Sequence, residues 1–470
     1  MTLIKSISGI RGTIGGKPGD NLTPQDIVLF TSAYADWLIS SSGKNPKTDK
    51  IHVVVGRDAR ISGPMVSDII CATLKSMGLH IINIGMASTP TTEMAVIMEK
   101  ADGGIIITAS HNPKEYNALK LLNNKGEFLN AEEGKTILKL AETAGFTYQD
   151  VMNLGSSVYI ENYRNKHIQA ILDLPLVDVE KIRQQNYTVA IDCVNSVGGL
   201  DIPELLKALG VNQIKKLYCE PTGDFPHNPE PLPENLSAIS ETIRKEGADV
   251  GFVVDPDVDR LAIVCEDGSM FGEEYTLVAV ADFILQNKRG NTVSNMSSTR
   301  ALRDITEAYE GAEYFASAVG EVNVVEKMKE VNAVIGGEGN GGVIYPDLHS
   351  GRDALVGIAL FLTLMAKRGS KVSAIRSGYP EYVISKNKIQ LTPETDVDAI
   401  LQAMKEKYSG QPVSTVDGVK IEFGKEWVHL RKSNTEPIIR IYSESKTRER
   451  AEELAQKIMS EIKEISQGKD

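Results

Sequence analysis

The sequence has no run of about 18 uninterrupted apolar residues, which is the length a membrane-spanning helix needs. Its first residues, MTLIKSISGIRG, contain no apolar segment of the kind that signal peptides carry. There is also no low-complexity segment that would indicate a disordered linker. These absences predict a globular protein that does not contact membranes, and we expect it to be cytoplasmic.

Cysteine is scarce, with four residues in 470. They are Cys71, Cys193, Cys219 and Cys265, which lie far apart in the sequence and mostly within apolar runs. Such spacing does not suit a disulfide framework or a zinc site. We therefore expect buried thiols in a reducing compartment.

The chain also lacks a positive net charge. It has 51 Lys and Arg against 63 Asp and Glu, which gives −12. This balance argues against binding to nucleic acid or to an acidic membrane surface. An anionic small-molecule ligand would have to be bound by local clusters of cationic side chains.

A repeated plan appears three times, at 51–85, 187–218 and 291–320. Each copy reads as a strand, a turn, an amphipathic helix and a second strand, which predicts α/β domains. The last hundred residues differ, with a helical pattern near 396–408, three short strands and a long charged helix from Thr447. That order predicts an α+β domain with antiparallel strands.

Residues 103–126 carry the first candidate site. Ile105–Ile107 reads as a buried strand, and Pro113 disfavours a helical conformation at Asn112, so Ser110 is expected on a turn. A hydroxyl at the end of a strand, next to His111 and followed by lysines, suits phosphoryl chemistry. An ordinary polar turn is the competing interpretation.

Asp255, Asp257 and Asp259 form the second candidate site, directly after the apolar stretch VGFVV. A locally extended chain would point the three carboxylates the same way, and such a group prefers Mg²⁺. An EF-hand is disfavoured because Arg260 occupies the position of its required glycine. A phosphatase of the haloacid dehalogenase type and a merely solvated acidic loop are two further interpretations of the same residues.

Two further stretches indicate ligand binding. The glycine-rich run 336–342 contains a formal GxGxxG pattern, but Val343 and Pro346 follow where a dinucleotide site needs a helix. Its glycines would let the backbone approach a ligand, with Glu338 as hydrogen-bond acceptor. The loop RKSNTEP after the strand WVHL offers what a non-transferring phosphate needs, although a polar connection is the competing interpretation. Its candidate residues are Arg431, Ser433, Asn434, Thr435 and Arg440.

The stretches TASHNP, SGIRG, DPDVDR and RKSNTEP resemble motifs of the α-D-phosphohexomutases, and the chain is similar to this superfamily over nearly its whole length. The closest resemblance is to archaeal-type phosphoglucosamine mutases and phosphomannomutase/phosphoglucomutases. The resemblance implies that Ser110 is a phosphoserine and that Mg²⁺ is held by Asp255, Asp257 and Asp259, with Ser110 as a further ligand. It implies that Arg11 and Arg260 contact the phosphoryl group.

The resemblance also makes Lys120 and His111 the candidates for moving the proton of the attacking hydroxyl. A lysine in that role needs a lowered pKa. Glu338 is expected to bind the sugar, together with Asn340, Glu321 and Asn323. The related loop is usually GE-x-S-G with a histidine after it, whereas Asn340 and Gly342 stand at those two positions here, which leaves substrate identity open.

The implied reaction interconverts hexose 6-phosphate and 1-phosphate through a 1,6-bisphosphate, which also acts as activator. Glucosamine phosphate is the predicted substrate, with mannose or glucose phosphate as alternatives. A sugar-phosphate phosphatase and a catalytically silent sugar-phosphate sensor remain different classes. We expect a monomer or homodimer.

The implied fold has three α/β domains with mixed sheets and an α+β C-terminal domain around a central cleft. The domains are assigned as 1–155 for the phosphoserine, 156–268 for the metal, 269–372 for the sugar and 373–470 for the second phosphate.

Overall fold

The computed structural model describes residues 2–6, 9–392, 395–432 and 438–467. The chain divides into two compact units, one comprising Met1–Thr276 with Gly341–Ser373, the other Leu277–Asn340 with Ala374–Asp470. No helix within the described ranges is long and apolar enough to cross a bilayer. All four cysteines are free thiols, of which Cys193 and Cys265 are buried and the other two half-buried.

The first unit begins with a mixed seven-stranded sheet. Its strands are β1 (Ile4–Ser6), β2 (Gly9–Thr13), β3 (His52–Arg57), β4 (His80–Met86), β5 (Gly103–Ile107), β6 (Tyr116–Leu122) and β7 (Ser157–Tyr159). They are ordered β1-β2-β6-β5-β3-β4-β7, with β5 parallel to β3 and antiparallel to β6. The carboxyl ends of β3 and β5 therefore meet at one edge of the sheet.

Helices cover both faces of this sheet. They are α1 (Pro24–Ser42), α2 (Gly63–Ser76), α3 (Thr89–Glu99), α4 (Ala131–Thr143) and α5 (Tyr163–Leu172), and a 3₁₀ turn spans Val151–Asn153. Ile105 and Ile107 pack in the core with α1, α2 and α4, whereas Ile106 packs on the other side with α3 and α5. Successive strand residues point to opposite faces, so a strand covered on both sides is apolar at every position.

The second α/β domain contains a four-stranded sheet. Its elements are α6 (Val179–Gln185), β8 (Thr188–Asp192), α7 (Gly198–Ala208), β9 (Gln213–Leu217), a 3₁₀ turn (Pro233–Asn235), α8 (Ser237–Glu246), β10 (Val250–Val254) and β11 (Leu261–Cys265). The strand order is β11-β10-β8-β9, with only β11 antiparallel to its neighbour. The fully buried β10 ends where the aspartate loop begins.

The third repeat of the plan follows. Its elements are α9 (Glu273–Asn287), β12 (Thr292–Asn295), α10 (Ala301–Glu307), β13 (Tyr314–Ser317), α11 (Glu321–Glu330), β14 (Ile335–Glu338), β15 (Gly342–Ile344) and α12 (Ala354–Arg368). Strand β12 pairs in parallel with β13 and with β14. Helix α12, which lies in the first unit, is buried from Ala354 to Ala366.

The C-terminal region is an antiparallel sheet with two packed helices. Its elements are α13 (Val372–Ser377), β16 (Val383–Gln390), α14 (Val397–Lys407), β17 (Val413–Ser414), β18 (Val419–Phe423), β19 (Glu426–Lys432), β20 (Ile438–Ser445) and α15 (Arg448–Gln467). The strand order is β16-β20-β19-β18-β17. Met404, Leu430 and Ile458 meet in its core.

The fold class inferred from the sequence is confirmed. All three copies of the strand, turn, helix, strand plan form, and the C-terminal residues adopt an α+β arrangement with antiparallel strands. The sequence did not predict β16, whose polar alternation KNK gave no clear strand signal. The boundaries after 155, 268 and 372 stay predictions.

Candidate active site

Ser110 lies on a tight turn directly after β5. Its backbone φ is +48°, in the left-handed region that a non-glycine residue rarely adopts. The backbone N–H donates to Thr108 Oγ1 at 2.9 Å, and the side-chain hydroxyl donates to Asp255 Oδ2 at 2.7 Å. Such a conformation persists only where the surroundings impose it, which is a feature of functional turns.

Arg60, at the carboxyl edge of the neighbouring strand, imposes this conformation. Its guanidinium pairs with the Asp58 carboxylate at 3.0 Å and has no exposure to solvent. It also donates hydrogen bonds to four carbonyl oxygens of the serine turn, those of Ser110, Asn112, Pro113 and Tyr116. Sequence reasoning missed this residue, although the charged pair in GRDAR directly after an apolar strand was a usable signal.

We expect Arg60→Met to lower the free energy of unfolding by about 3–5 kcal/mol, because it leaves Asp58 and four carbonyl groups buried without their partner. Urea unfolding followed by circular dichroism measures this. Arg183→Met is the control, since Arg183 is exposed and pairs with the exposed Glu180; we expect a change within about 0.5 kcal/mol there. Equal effects of the two substitutions would contradict the role given to Arg60.

The three aspartates lie on a turn, so the expected extended chain is wrong. Val258 has φ +63° and its N–H donates to the Asp255 carbonyl oxygen at 3.1 Å. One carboxylate oxygen from each of Asp255, Asp257 and Asp259 lies within 4.8 Å of the others. The turn, and not strand alternation, therefore gathers the carboxylates.

The chemistry of this group fits a hard divalent cation. All three carboxylates are fully buried, and Asp257 Oδ1 and Asp259 Oδ1 have no hydrogen-bond partner among the described residues. Burial, with the neighbouring charges of Asp259 and Asp257, raises the pKa of Asp255 well above its usual value. Buried carboxylates with orphaned oxygens are the donor set that Mg²⁺ prefers.

Lys120, on β6, reaches the same carboxylates. Its Nζ lies 2.7 Å from Asp257 Oδ2 and 3.5 Å from Asp259 Oδ2. Burial opposes the ammonium charge, but these two carboxylates outweigh it and raise the pKa of Lys120. The lowered pKa expected from the sequence is therefore not found, because the lysine sits among anions.

His111 and Arg11 flank the serine. His111 Nδ1 is 3.4 Å from Ser110 Oγ, and burial together with the charge of Arg260 lowers its pKa to about 2. The imidazole is therefore neutral at physiological pH. Arg11 projects from β2 and donates to Asn112 Oδ1 at 2.9 Å, which places its guanidinium beside the serine turn.

Two further arginines contact the aspartate loop. Arg260 pairs with Glu230 at 3.0 Å and approaches Asp259 Oδ1 at 4.0 Å. Arg352, which sequence reasoning missed, lies 2.7 Å from Asp259 Oδ2. No local pattern connects Arg352 with an aspartate 93 positions earlier, so only the folded chain reveals it.

The residues expected to bind sugar lie in the second unit. Glu338 ends β14 and accepts hydrogen bonds from Asn295 Nδ2 at 2.8 Å and from the Gly320 N–H at 3.2 Å. Asn340 Nδ2 is 3.5 Å from Glu338 Oε2. The carboxylate is therefore held firmly by its own unit.

Glu321 and Asn323, the other two residues expected to bind the sugar, lie in a helix. Both belong to the first turn of α11, which begins at Glu321. Glu321 is buried, and Asn323 Nδ2 donates to the Val319 carbonyl oxygen at 2.9 Å. The helix starts here because Gly320, with φ +116°, reverses the chain.

The candidate phosphate clamp has a row of cations on its sheet. Arg431 on β19 is directly opposite Arg440 on β20, which is in turn opposite Lys388 on β16. Like charges directly opposite are destabilising unless an anion binds them. Arg431 also pairs with Asp417 at 2.8 Å. Ser433, Asn434 and Thr435 lie outside the described residues. Sequence reasoning missed Lys388 because the sequence does not show which residues of two strands are paired.

Four domains of one family match the chain. They are described as phosphoglucomutase/phosphomannomutase alpha/beta/alpha domain I at residues 3–148, domain II at 165–268, domain III at 272–382 and the C-terminal domain at 386–461.

Individual relatives match over almost their full length. A phosphoglucomutase/phosphomannomutase of Thermococcus kodakarensis is 36% identical, covering 94% of this chain and 96% of its own. A phosphoglucosamine/phosphogalactosamine mutase of Sulfurisphaera tokodaii is 32% identical, covering 98% of each chain. The crystal structure of a phosphoglucomutase/phosphomannomutase family protein of Burkholderia thailandensis has a TM-score of 0.83 at 25% identity, covering 99% of this chain and 98% of its own.

Proposed function

Because the chain belongs to the phosphoglucomutase/phosphomannomutase family of α-D-phosphohexomutases, we propose that it interconverts the 6-phosphate and 1-phosphate of a hexose. The observation that carries this proposal is the contact between the Ser110 hydroxyl and Asp255, at 2.7 Å, within a group of three buried carboxylates. A phosphoryl acceptor beside a cation site is the arrangement that phosphoryl transfer requires.

In the proposed cycle Ser110 carries a phosphoryl group at rest. The bond from phosphorus to Ser110 Oγ breaks, and a bond from phosphorus to a hydroxyl oxygen of the sugar monophosphate forms, which yields a 1,6-bisphosphate. The bisphosphate reverses its orientation and returns its other phosphoryl group to Ser110 Oγ. The product is the isomeric monophosphate, so phosphate is conserved over the cycle.

Positive side chains hold the transferring group. Arg11 borders the serine turn and Arg260 borders the aspartate loop, so both are placed to contact equatorial oxygens of the phosphoryl group. Mg²⁺ bound by Asp255, Asp257 and Asp259, with Ser110 as a further ligand, would neutralise charge on that group. Phosphoryl transfer depends mainly on such positioning and electrostatics.

The proton of the attacking hydroxyl goes to Lys120 or to His111. His111 is the neutral one of the two, and its Nδ1 is already 3.4 Å from the serine oxygen. Lys120 lies among the cation-binding carboxylates, which favour its charged ammonium form. It accepts a proton only as the neutral amine, once it has moved away from these carboxylates. Both residues stay candidates for this role.

We assign the remaining substrate contacts to the second unit. Glu338 accepts hydrogen bonds from sugar hydroxyls, with Asn340, Glu321 and Asn323 as further candidates for contacts with the sugar. Arg431 and Arg440, with Ser433, Asn434 and Thr435 as further candidates, hold the phosphate that does not react, and Lys388 lies directly opposite Arg440. A 1,6-bisphosphate would also activate the enzyme by phosphorylating Ser110.

Glucosamine phosphate is the substrate that we propose, with mannose and glucose phosphates as the alternatives. A buried acidic group suits an amino sugar, because the carboxylate of Glu321 can pair with its ammonium. The Sulfurisphaera tokodaii relative named for amino-sugar phosphates supports this assignment. The Thermococcus kodakarensis relative, named phosphoglucomutase/phosphomannomutase, supports the alternatives.

The test is turnover of glucosamine, mannose and glucose phosphates with Mg²⁺ and a trace of the matching bisphosphate. We expect the highest kcat/KM for glucosamine phosphate. Glu338→Gln should lower that value by roughly 10- to 100-fold, since a hydrogen bond to a charged group contributes about 1.5–3 kcal/mol. Glu307→Gln, on the exposed face of α10, is the control.

Three results would change the assignment. A preference for mannose or glucose phosphate would keep the mutase reaction and remove the amino-sugar substrate. Release of inorganic phosphate equal to substrate consumed, without need of bisphosphate, would identify a phosphatase. Binding of sugar phosphates without any turnover would identify a sensor.

A further inference from the structure

A second polar cluster lies buried in the first unit. It is formed by His167 on α5, by His349 and Asp353 before α12, and by Glu93 on α3; all four are at most 5% exposed. It is made of different residues from the aspartate loop, and the proposed mechanism uses none of them. Charged groups at this depth are costly unless each is paired.

Three atoms of the cluster converge on one point. His167 Nε2 is 3.0 Å and His349 Nε2 is 3.2 Å from the same oxygen, Asp353 Oδ2. One ligand atom from each of the three residues lies within 4.8 Å of the others. Ligand atoms around a tetrahedral zinc ion, with bonds of about 2.0–2.1 Å, lie roughly 3.3 Å apart. The separations of the two imidazole nitrogens from Asp353 Oδ2 therefore match those between the ligands of a metal site.

The outward-facing atoms of these residues lie close to other polar groups. His167 Nδ1 is 3.0 Å from Thr91 Oγ1, and His349 Nδ1 is 3.3 Å from Glu93 Oε2. Asp353 Oδ1 accepts from the N–H groups of Leu355 and Val356, at 2.8 and 3.3 Å. Metal-binding histidines in proteins usually donate their second N–H to an oxygen, as His167 can to Thr91, which fixes the tautomer that presents the other nitrogen to the metal. His349 Nδ1 lies near a carboxylate oxygen but does not make a hydrogen bond to it.

A network held by protons alone is the competing explanation. Both imidazoles would then donate from Nε2 to one oxygen of Asp353, while a carboxylate also faces His349 Nδ1. That arrangement requires an additional proton, and so a buried imidazolium. A divalent cation would replace this proton and balance the two carboxylates of Glu93 and Asp353.

We propose that His167, His349 and Asp353 form a second divalent-cation site. Two imidazoles and one carboxylate favour a borderline ion such as Zn²⁺, whereas the three aspartates favour Mg²⁺. The site ties α5 to the segment that carries Arg352, the neighbour of Asp353 and partner of Asp259. It would therefore be a structural metal site that stabilises the position of this segment beside the candidate active site.

The test counts metal ions in the full-length protein. Because Zn²⁺ and Co²⁺ also bind carboxylates, Asp255→Asn is used as the background, which weakens the first site and leaves the second intact. After treatment with EDTA and its removal, equilibrium dialysis against Zn²⁺ or Co²⁺ with elemental analysis gives the bound equivalents. We expect one equivalent in this background and none when His349→Asn is added, with visible absorption of bound Co²⁺ lost in parallel.

A milder variant tests the site in case His349→Asn does not fold. Thr91→Val keeps all three ligands but removes the oxygen partner of His167 Nδ1, and we expect a 10- to 100-fold weaker metal affinity. Circular dichroism must show both variants folded. No stoichiometric binding in the background protein, or binding that His349→Asn and Thr91→Val leave unchanged, would overturn the metal site and leave the protonated network.

Discussion

Replacement of Ser110 by alanine is expected to reduce mutase turnover by roughly 10³- to 10⁶-fold, the range typical for loss of a covalent nucleophile. The proposed cycle needs a side chain that carries the phosphoryl group between the two sugar hydroxyls. Ser110 Oγ is the hydroxyl that contacts Asp255, so alanine at this position removes the carrier. Turnover is measured with saturating Mg²⁺ and bisphosphate, so that neither limits the rate.

Intact-mass spectrometry provides a second readout for this prediction. The wild-type protein incubated with bisphosphate should gain one phosphoryl group, and Ser110→Ala should gain none. Ser62→Ala is the matched control, since its hydroxyl accepts a hydrogen bond from Asn117 and has no contact with Asp255; it should keep most activity. Full turnover in Ser110→Ala, or phosphate on another residue, would disprove the phosphoserine mechanism.

Asp255→Asn is expected to lower activity without lowering stability. Activity should fall by about 10²- to 10³-fold or more, because the variant loses a cation ligand and a partner of the serine. Stability at neutral pH without divalent ions should stay unchanged or rise. The substitution removes one of three buried negative charges while nearly preserving the shape of the side chain.

The direction of the expected stability change follows from the pKa of Asp255. Burial and the charges of Asp259 and Asp257 raise this pKa in the folded protein. A carboxyl whose pKa is higher in the folded state stabilises the fold below its unfolded pKa of about 3.9. That contribution is lost as the pH rises through the folded pKa. At neutral pH the ionised carboxylate therefore costs stability, and the amide does not.

Thermal unfolding in EDTA and then with Mg²⁺ checks both parts. Mg²⁺ should stabilise the wild type and have little effect on Asp255→Asn, because a ligand stabilises only the state that binds it. Asp224→Asn is the control, since Asp224 is exposed and pairs with Lys114 at the surface; neither activity nor stability should change much. If Mg²⁺ stabilised Asp255→Asn as much as the wild type, the prediction that the cation binds at this loop would be wrong.

The sequence by itself predicted most of the helices and strands and the type of chemistry at each candidate site. The isoleucines of β5 predicted a buried strand because a strand covered on both faces must be apolar at successive positions. Pro113 predicted the turn at Ser110 because it restricts the residue before it. The three aspartates predicted a cation because closely spaced like charges need one. Each of these inferences depends on residues that are neighbours in the chain.

Only the tertiary structure decided how these groups are held. Arg60 reaches a turn 50 residues later in the chain, and the cluster of His167 and Asp353 joins residues 186 positions apart. The left-handed conformation of Val258, which replaces the expected extended chain, depends on the packing around the turn. The row of Lys388, Arg440 and Arg431 depends on strand register. Hydrophobic periodicity specifies which face of an element is buried, but it does not specify which distant element covers that face. Contacts between distant residues therefore had to be read from the folded chain.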